Sequence, residues 1–266
     1  MKNEDLKQIY DSQELKFHSG YNESMMIVKM LDSWQGLDVL EIGCGHGHLA
    51  SILSYAGANV IGVDYSLEQM AIAKNKYPGM KFIQILNLAS LGTLEDGFQA
   101  AGGVGKPWDV VVMQGVLEHL DEPWAELDKI MEQLLKPQGA CCLSVPHWVN
   151  PRGYIYHTLR LLFNAKMSLT DLHYFLPGDF LKYCKTDTKY FKYEKGYGCQ
   201  FYHCDESWAS GPEMLADFKK RLPKVFDQGP TSQMPAKIDN FLKFLEKMLP
   251  DIPKGEGACL GVKISK

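Results

Sequence analysis

Residues 39–50, VLEIGCGHGHLA, set an acid, Glu41, two positions ahead of three alternating glycines, Gly43, Gly45 and Gly47. Val39, Leu40 and Ile42 read as a short buried parallel strand, and Leu49, Ile52, Leu53 and Ala56 recur at helical spacing directly afterwards. The glycines, with Cys44 between the first two, therefore sit on a strand-to-helix turn. Lacking β-carbons, they let the backbone turn tightly and a ligand lie against it, with the free N–H groups of a helix start beyond. Such a turn outlines a nucleotide-binding crevice. A dinucleotide fingerprint needs its third glycine where this chain has His48. Glu41 also argues against a pyrophosphate, because a carboxylate at the strand mouth repels one and suits a cationic or hydroxyl-bearing ligand. A sulfonium nucleoside with a free amino group meets that demand.

The elements that must position this turn can be read on both sides of it. Residues 1–35 read as helices, with Leu6, Ile9 and Tyr10 on one face and Met25, Met26 and Met30 in a second run. Strands are expected near 38–42, 59–63, 81–86, 109–113 and 140–145. Ser66, with Gln69 three residues on, forms a capping-box start for a helix. Gly102 to Pro107 marks a turn. The helix carrying Trp124, Leu127, Ile130, Met131 and Leu134 is expected to stop at Lys136-Pro137-Gln138-Gly139. This alternation predicts an α/β fold, a mostly parallel sheet covered by helices on both faces. After Pro146 a stretch rich in aromatics and histidines, 147–183, is too long for a tight connection and predicts a helical lid. A strand near 189–195, a helical insertion over 203–250 and a last strand at 257–264 complete the chain.

Together these segments resemble the class I S-adenosylmethionine-dependent methyltransferases. VIGVDYS at 60–66 looks like that family's second strand, WDVVVMQGVLEHLDEP at 108–123 like its fourth strand and loop, and LKPQGACCLSVP at 135–146 like its fifth strand. The resemblance implies a doubly wound, Rossmann-like seven-stranded fold in one domain, 1–266. Within it, 1–35 are N-terminal helices, 36–147 the cofactor core, 147–183 the substrate lid and 184–266 the sheet completion. It implies S-adenosyl-L-methionine as cofactor, with Glu41 and the turn Gly43-Cys44-Gly45 and Gly47 at its methionine and ribose parts. Asp64 falls at the ribose hydroxyls, Tyr65 and Met70 beside the adenine, and Gln114 and Gly115 near the methionine end. Where the family commonly has an aspartate for the adenine amino group this chain has Asn87, whose carbonyl oxygen can still accept.

The chain of 266 residues carries a formal net charge of −4, which argues against a general nucleic-acid binder. No apolar run approaches the ~20 residues that span a bilayer, and the seven scattered cysteines fit reduced thiols, so a cytoplasmic protein is expected. Cys199, His203 and Cys204 match no zinc spacing, and no metal is expected.

Methyl transfer to a hydroxyl needs alignment and a proton acceptor. The candidate bases are His119 after strand four, His147 after strand five and His173 in the lid, while His46 and His48 shape the cofactor turn. Arg152 and Arg160, among Tyr156 and other lid aromatics, could fork onto a phosphate or carboxylate while the rings stack on a sugar or base. The expectation is therefore O-methylation of a small anionic or hydroxyl-bearing acceptor, foremost a phosphorylated or nucleotide-linked sugar in glycan biosynthesis. The alternatives are N-methylation, a quinone-type O-methyltransferase and, more remotely, a noncatalytic binding protein or a nicotinamide oxidoreductase.

Overall fold

The computed structural model describes residues 20–85, 107–149, 151–163, 171–184, 196–204 and 259–266. Along the chain these form α1 (Gly20–Val28), β1 (Asp38–Ile42), α2 (His48–Tyr55), β2 (Asn59–Asp64), α3 (Leu67–Lys76) and β3 (Lys81–Gln84). β4 (Trp108–Gln114), a 3-10 turn (Leu117–His119), α4 (Pro123–Lys129), a π-helical turn (Ile130–Leu134) and β5 (Leu135–Pro146) follow. α5 (Pro151–Phe163), α6 (Pro177–Cys184), β6 (Gly198–His203) and β7 (Cys259–Ser265) end the series.

The described strands make one seven-stranded sheet in the order β3-β2-β1-β4-β5-β7-β6. β1 to β5 pair in parallel, and β7 runs antiparallel to both β5 and β6. Strand order reverses between β1 and β4, which opens a crevice at their carboxyl ends.

Side-chain alternation divides the core between the two faces of the sheet. Leu40, Ile42, Val111, Met113, Cys141 and Leu143 join one cluster. Val39, Val110, Val112 and Cys142 join the other, with Met26 and Ile27 of α1 and Leu49 and Leu53 of α2. Glu41 shares the face of Val39, and it pairs with Val112, which pairs with Cys142. One step further along that face, Gln114 pairs with Ser144. Three polar residues are thus presented toward α1 from the ends of β1, β4 and β5.

The Ser66 cap forms as expected, with Gln69 N–H donating to Ser66 Oγ at 3.3 Å. Between α4 and β5 the chain departs from the expected single helix. α4 ends at Lys129, a π-helical turn follows, and Leu135 already pairs with Trp108 before the ladder resumes at Ala140 opposite Val110. Pro137 has no N–H to offer a ladder. Lys136 instead reaches across the bulge to Asp109 Oδ2 at 2.8 Å. Of the expected C-terminal elements, the last strand is β7, shifted two residues at its start. β6 lies at 198–203, between the expected strand at 189–195 and the 203–250 insertion, which, apart from 203–204, lie outside the described residues, as do Asn87 and residues 1–19.

Candidate active site

The turn after β1 is held to the end of β2 by its own backbone. Gly43 and Cys44 N–H both donate to Val63 O (2.8 and 3.0 Å), and Gly47 N–H donates to Cys44 O at 2.8 Å. All three glycines take left-handed backbone, with φ of 72°, 50° and 75° for Gly43, Gly45 and Gly47. They do different work. A β-carbon on Gly43 would strike Val116, and one on Gly47 would meet the Phe82 ring at 2.5 Å, so these two are demanded by the protein's own packing. On Gly45 it would meet only Gln69 Oε1 at 3.8 Å, which leaves this glycine as the open part of the cradle.

Asp64 closes the turn from β2: its Oδ2 accepts from Gly45 N–H at 2.8 Å and its Oδ1 from Ser66 N–H at 2.9 Å. Burial pushes its pKa up against these hydrogen bonds. Glu41 is more extreme. It is 2 % exposed, and its Oε2 has no hydrogen-bond partner. Burial and the neighbouring Asp64 charge push its pKa up to about 8, opposed by a hydrogen bond from the Ala50 backbone. A buried carboxyl left short of donors is costly unless a ligand supplies them. S-adenosylmethionine brings an ammonium and two ribose hydroxyls as donors and a sulfonium as a positive charge, which suits this pair of acids.

The remaining cofactor candidates support the turn from around it. Met70 is buried, its Sδ 3.8 Å from Cys44 Sγ, so both side chains brace the loop from beneath. Tyr65 O accepts from Gln84 Nε2 at 3.3 Å. Desolvation, helped by Lys76, lowers the pKa of both His46 and His48, which keeps them neutral near pH 7.

At the ends of β4 and β5, α1 closes on the sheet through side chains far apart in sequence. Ser24 Oγ donates to Gln114 Oε1 (2.9 Å), Gln114 Nε2 donates to Glu23 Oε2 (3.2 Å), and Ser144 Oγ donates to Glu23 Oε1 (2.6 Å). Ser144 Oγ also accepts from Gly115 N–H at 3.2 Å. Burial raises the pKa of Glu23 despite the hydrogen bonds from Ser144 and Gln114.

The three candidate histidines have different partners. His119 is half-buried, with Nδ1 3.7 Å from Asp171 Oδ1. His173 is fastened to the same 3-10 turn: its N–H donates to Glu118 O at 3.1 Å and its Nε2 lies 3.3 Å from Asp121 O. His147 is buried, its ring 5.2 Å from that of His203 in β6. Beyond them, Trp148 packs edge-on against Tyr156 and Tyr174 at 5.9 and 5.5 Å, forming an aromatic wall after β5. Exposed Arg160 lies over the Tyr174 ring, Cζ 4.9 Å from its centroid. The Arg152 side chain lies outside the described residues. No group of three or more His, Cys, Asp or Glu among the described residues is arranged to hold a metal.

A carboxyl that sequence reasoning passed over is Glu118. In GVLEHL it reads as a companion of His119, yet it is 3 % exposed and its Oε2 has no hydrogen-bond partner. Its only sequence signal is a charge inside an apolar run just past a buried strand.

The sequence profile of the family described as "Methyltransferase domain" matches residues 13–188, more than half of the chain. A ubiquinone biosynthesis O-methyltransferase of Acinetobacter baumannii is 30 % identical over 121 residues, 46 % of this chain and 48 % of that one. The chain thus spans about half the length of the curated relatives it matches. Among solved structures, an S-adenosylmethionine-dependent methyltransferase from Mesorhizobium loti superposes with a TM-score of 0.51 at 17 % identity, covering 93 % of this chain and 99 % of that one. One from Archaeoglobus fulgidus gives 0.51 at 17 %, covering 91 % and 92 %. At such identity these two speak for the fold alone. Taken with the glycine cradle, the buried acids at β1 and β2 and the reversed strand order, the profile match establishes that this chain belongs to the class I S-adenosylmethionine-dependent methyltransferases.

Proposed function

We propose that this methyltransferase acts on a hydroxyl of a small ring-shaped acceptor, and that a quinol-type ring fits better than a phosphorylated sugar. The observations that carry the reading are an aromatic cluster that follows β5, Trp148 with Tyr156 and Tyr174, and the buried acids Glu23 and Glu118 at the ends of β4 and β5. Flat rings suit such a cluster by offset or edge-on contact. Acids suit a donor such as a hydroxyl and repel a phosphate. Of the two lid arginines expected to clamp an anion, Arg160 already spends its guanidinium on Tyr174. The curated relatives named for ubiquinone biosynthesis support the same class. The cofactor would supply an activated methyl group. The residues Glu41, Asp64 and Gly45 would hold it, and the acceptor needs only alignment and a place for its proton.

The buried acids also favour a second reading, N-methylation of an amine, since an ammonium would seat against the same carboxyls. The test is transfer from methyl-deuterated S-adenosylmethionine to a panel holding a catechol, a hexose phosphate, a nucleotide sugar and a primary amine, with products resolved by mass spectrometry. Labelled methyl on the catechol oxygen is the expected result. Labelling of the sugar or amine alone would replace the quinol reading.

A further inference from the structure

Among the described residues, Oε2 of Glu41, Glu118 and Glu126 and Nε2 of His157 are buried side-chain atoms without a hydrogen-bond partner. Glu41 belongs to the cofactor cradle. Glu126 keeps an ion pair through its other oxygen, with Lys129 Nζ at 2.8 Å. His157 is only half-buried. Glu118 remains, and its position is informative.

Its main chain is clamped from the lid side, because Leu172 and His173 N–H both donate to Glu118 O, at 2.8 and 3.1 Å. Its side chain reaches the end of β4. Its Oε1 would lie 3.6 Å from a β-carbon on Gly115, a residue with φ of 62°. Gly115 and its neighbour Gln114 stand where the crevice between β1 and β4 opens. Among the described residues, the charges that act on Glu118 are Asp171 from the lid and Glu23 from α1, both acidic. Burial and these neighbours hold its pKa well above the usual carboxylate range. A carboxyl buried to this extent, short of a donor and ringed by acids, is stable only at a cost that a bound donor would remove.

We propose that Glu118 lines the acceptor subsite and selects acceptors that present a hydrogen-bond donor at the position receiving the methyl group. The inference rests on the ring-hydroxyl reading for the identity of that donor, and on the position of Glu118 for everything else. It moves the residue that meets the acceptor from the histidines to their buried neighbour, and leaves His119 on the outer side beside Asp171.

The experiment uses two cofactor analogues and needs no knowledge of the acceptor. S-adenosylhomocysteine lacks the methyl group, whereas sinefungin carries an ammonium pointing where the methyl would leave. Both are titrated into the full chain by calorimetry. A carboxylate at the subsite makes a charge-assisted hydrogen bond to that ammonium, so Glu118→Gln should lose roughly tenfold to a hundredfold in sinefungin affinity while keeping that for S-adenosylhomocysteine. Glu118→Asp, which keeps the charge but withdraws it by one methylene, should fall between. It also decides the matter if the glutamine variant does not fold. An unchanged ratio of the two affinities in these variants overturns the proposal. So does an equal loss of both ligands, or a ratio that collapses in His119→Asn and survives in Glu118→Gln. A failure of the quinol reading would leave this ratio untouched and show only in the acceptor panel.

Discussion

Replacing Glu41 by glutamine should stabilise the ligand-free protein and weaken cofactor binding, and both effects should depend on pH in a calculable way. The carboxyl is 2 % exposed with its pKa pushed from 4.5 up to about 8. The folded chain therefore holds this proton more tightly than the unfolded chain does, and binds more protons between about pH 4.5 and 8. Stability must fall as pH rises through that window. The loss is on the order of 3–5 kcal/mol once both states are ionised, at about 1.36 kcal/mol per pH unit. Glutamine has the same shape and nothing to ionise. Its advantage in thermal melting should be near zero at pH 4.5 and largest at pH 8.

Cofactor binding runs in the opposite sense, because an ammonium or sulfonium prefers the ionised carboxylate. If only the ionised form binds, affinity follows the ionised fraction, which rises from about 1 % at pH 6 to about half at pH 8 for a pKa of about 8. The expected gain for S-adenosylhomocysteine is therefore about fiftyfold across that range, measured by calorimetry. Glu41→Gln should bind weakly with a nearly flat profile. The reasoning is refuted if the variant keeps the wild-type slope, or if it melts below wild type at pH 8.

Gly43→Ala should cost about 1–3 kcal/mol in urea unfolding, because φ is 72° and the new methyl would strike Val116; Val116→Ala should recover the steric part and leave the backbone part. Ser144→Ala removes the 2.6 Å hydrogen bond to Glu23, so the amides of α1 should exchange faster with solvent while those of β4 do not change. Arg160→Ala should leave the acceptor KM unchanged for a neutral quinol-type substrate, since its guanidinium rests on Tyr174; a large rise in KM would restore the anion-clamp reading of the lid.

The glycine turn and its supports were legible in sequence because their parts lie close together along the chain. A strand, a glycine turn and a helix start within residues 39–50 fix one another's geometry, and Asp64 follows at the next strand end. The Ser66 cap needed only three residues to be recognised. Even here the division of labour was hidden. Nothing in the spacing tells that Gly43 and Gly47 yield to Val116 and Phe82 while Gly45 faces open space. The helix expected to run to Lys136 ends earlier, because a π-helical turn and a bulge let Leu135 join the sheet beside Trp108, a long-range pairing that local periodicity cannot register. The three histidines looked equivalent as strand-end or lid residues. Their partners, Asp171 for His119, the Glu118 and Asp121 carbonyls for His173 and His203 for His147, depend on how β5, β6 and the lid pack.

By itself, then, the sequence determined the methyl donor: a short contiguous motif carries its own geometry, and burying Glu41 beside three glycines leaves few ligands that could satisfy it. The polar cluster at the ends of β4 and β5 was decided by tertiary structure. Glu23 and Ser144 stand 121 residues apart, yet one hydrogen bond joins them over the crevice. Glu118 becomes a buried, donor-seeking carboxyl only when residues 171–173 clamp its backbone and α1 closes on the sheet. Desolvation is a property of the folded surroundings, so a glutamate that is ordinary in the chain acquires its chemistry only in the assembled site.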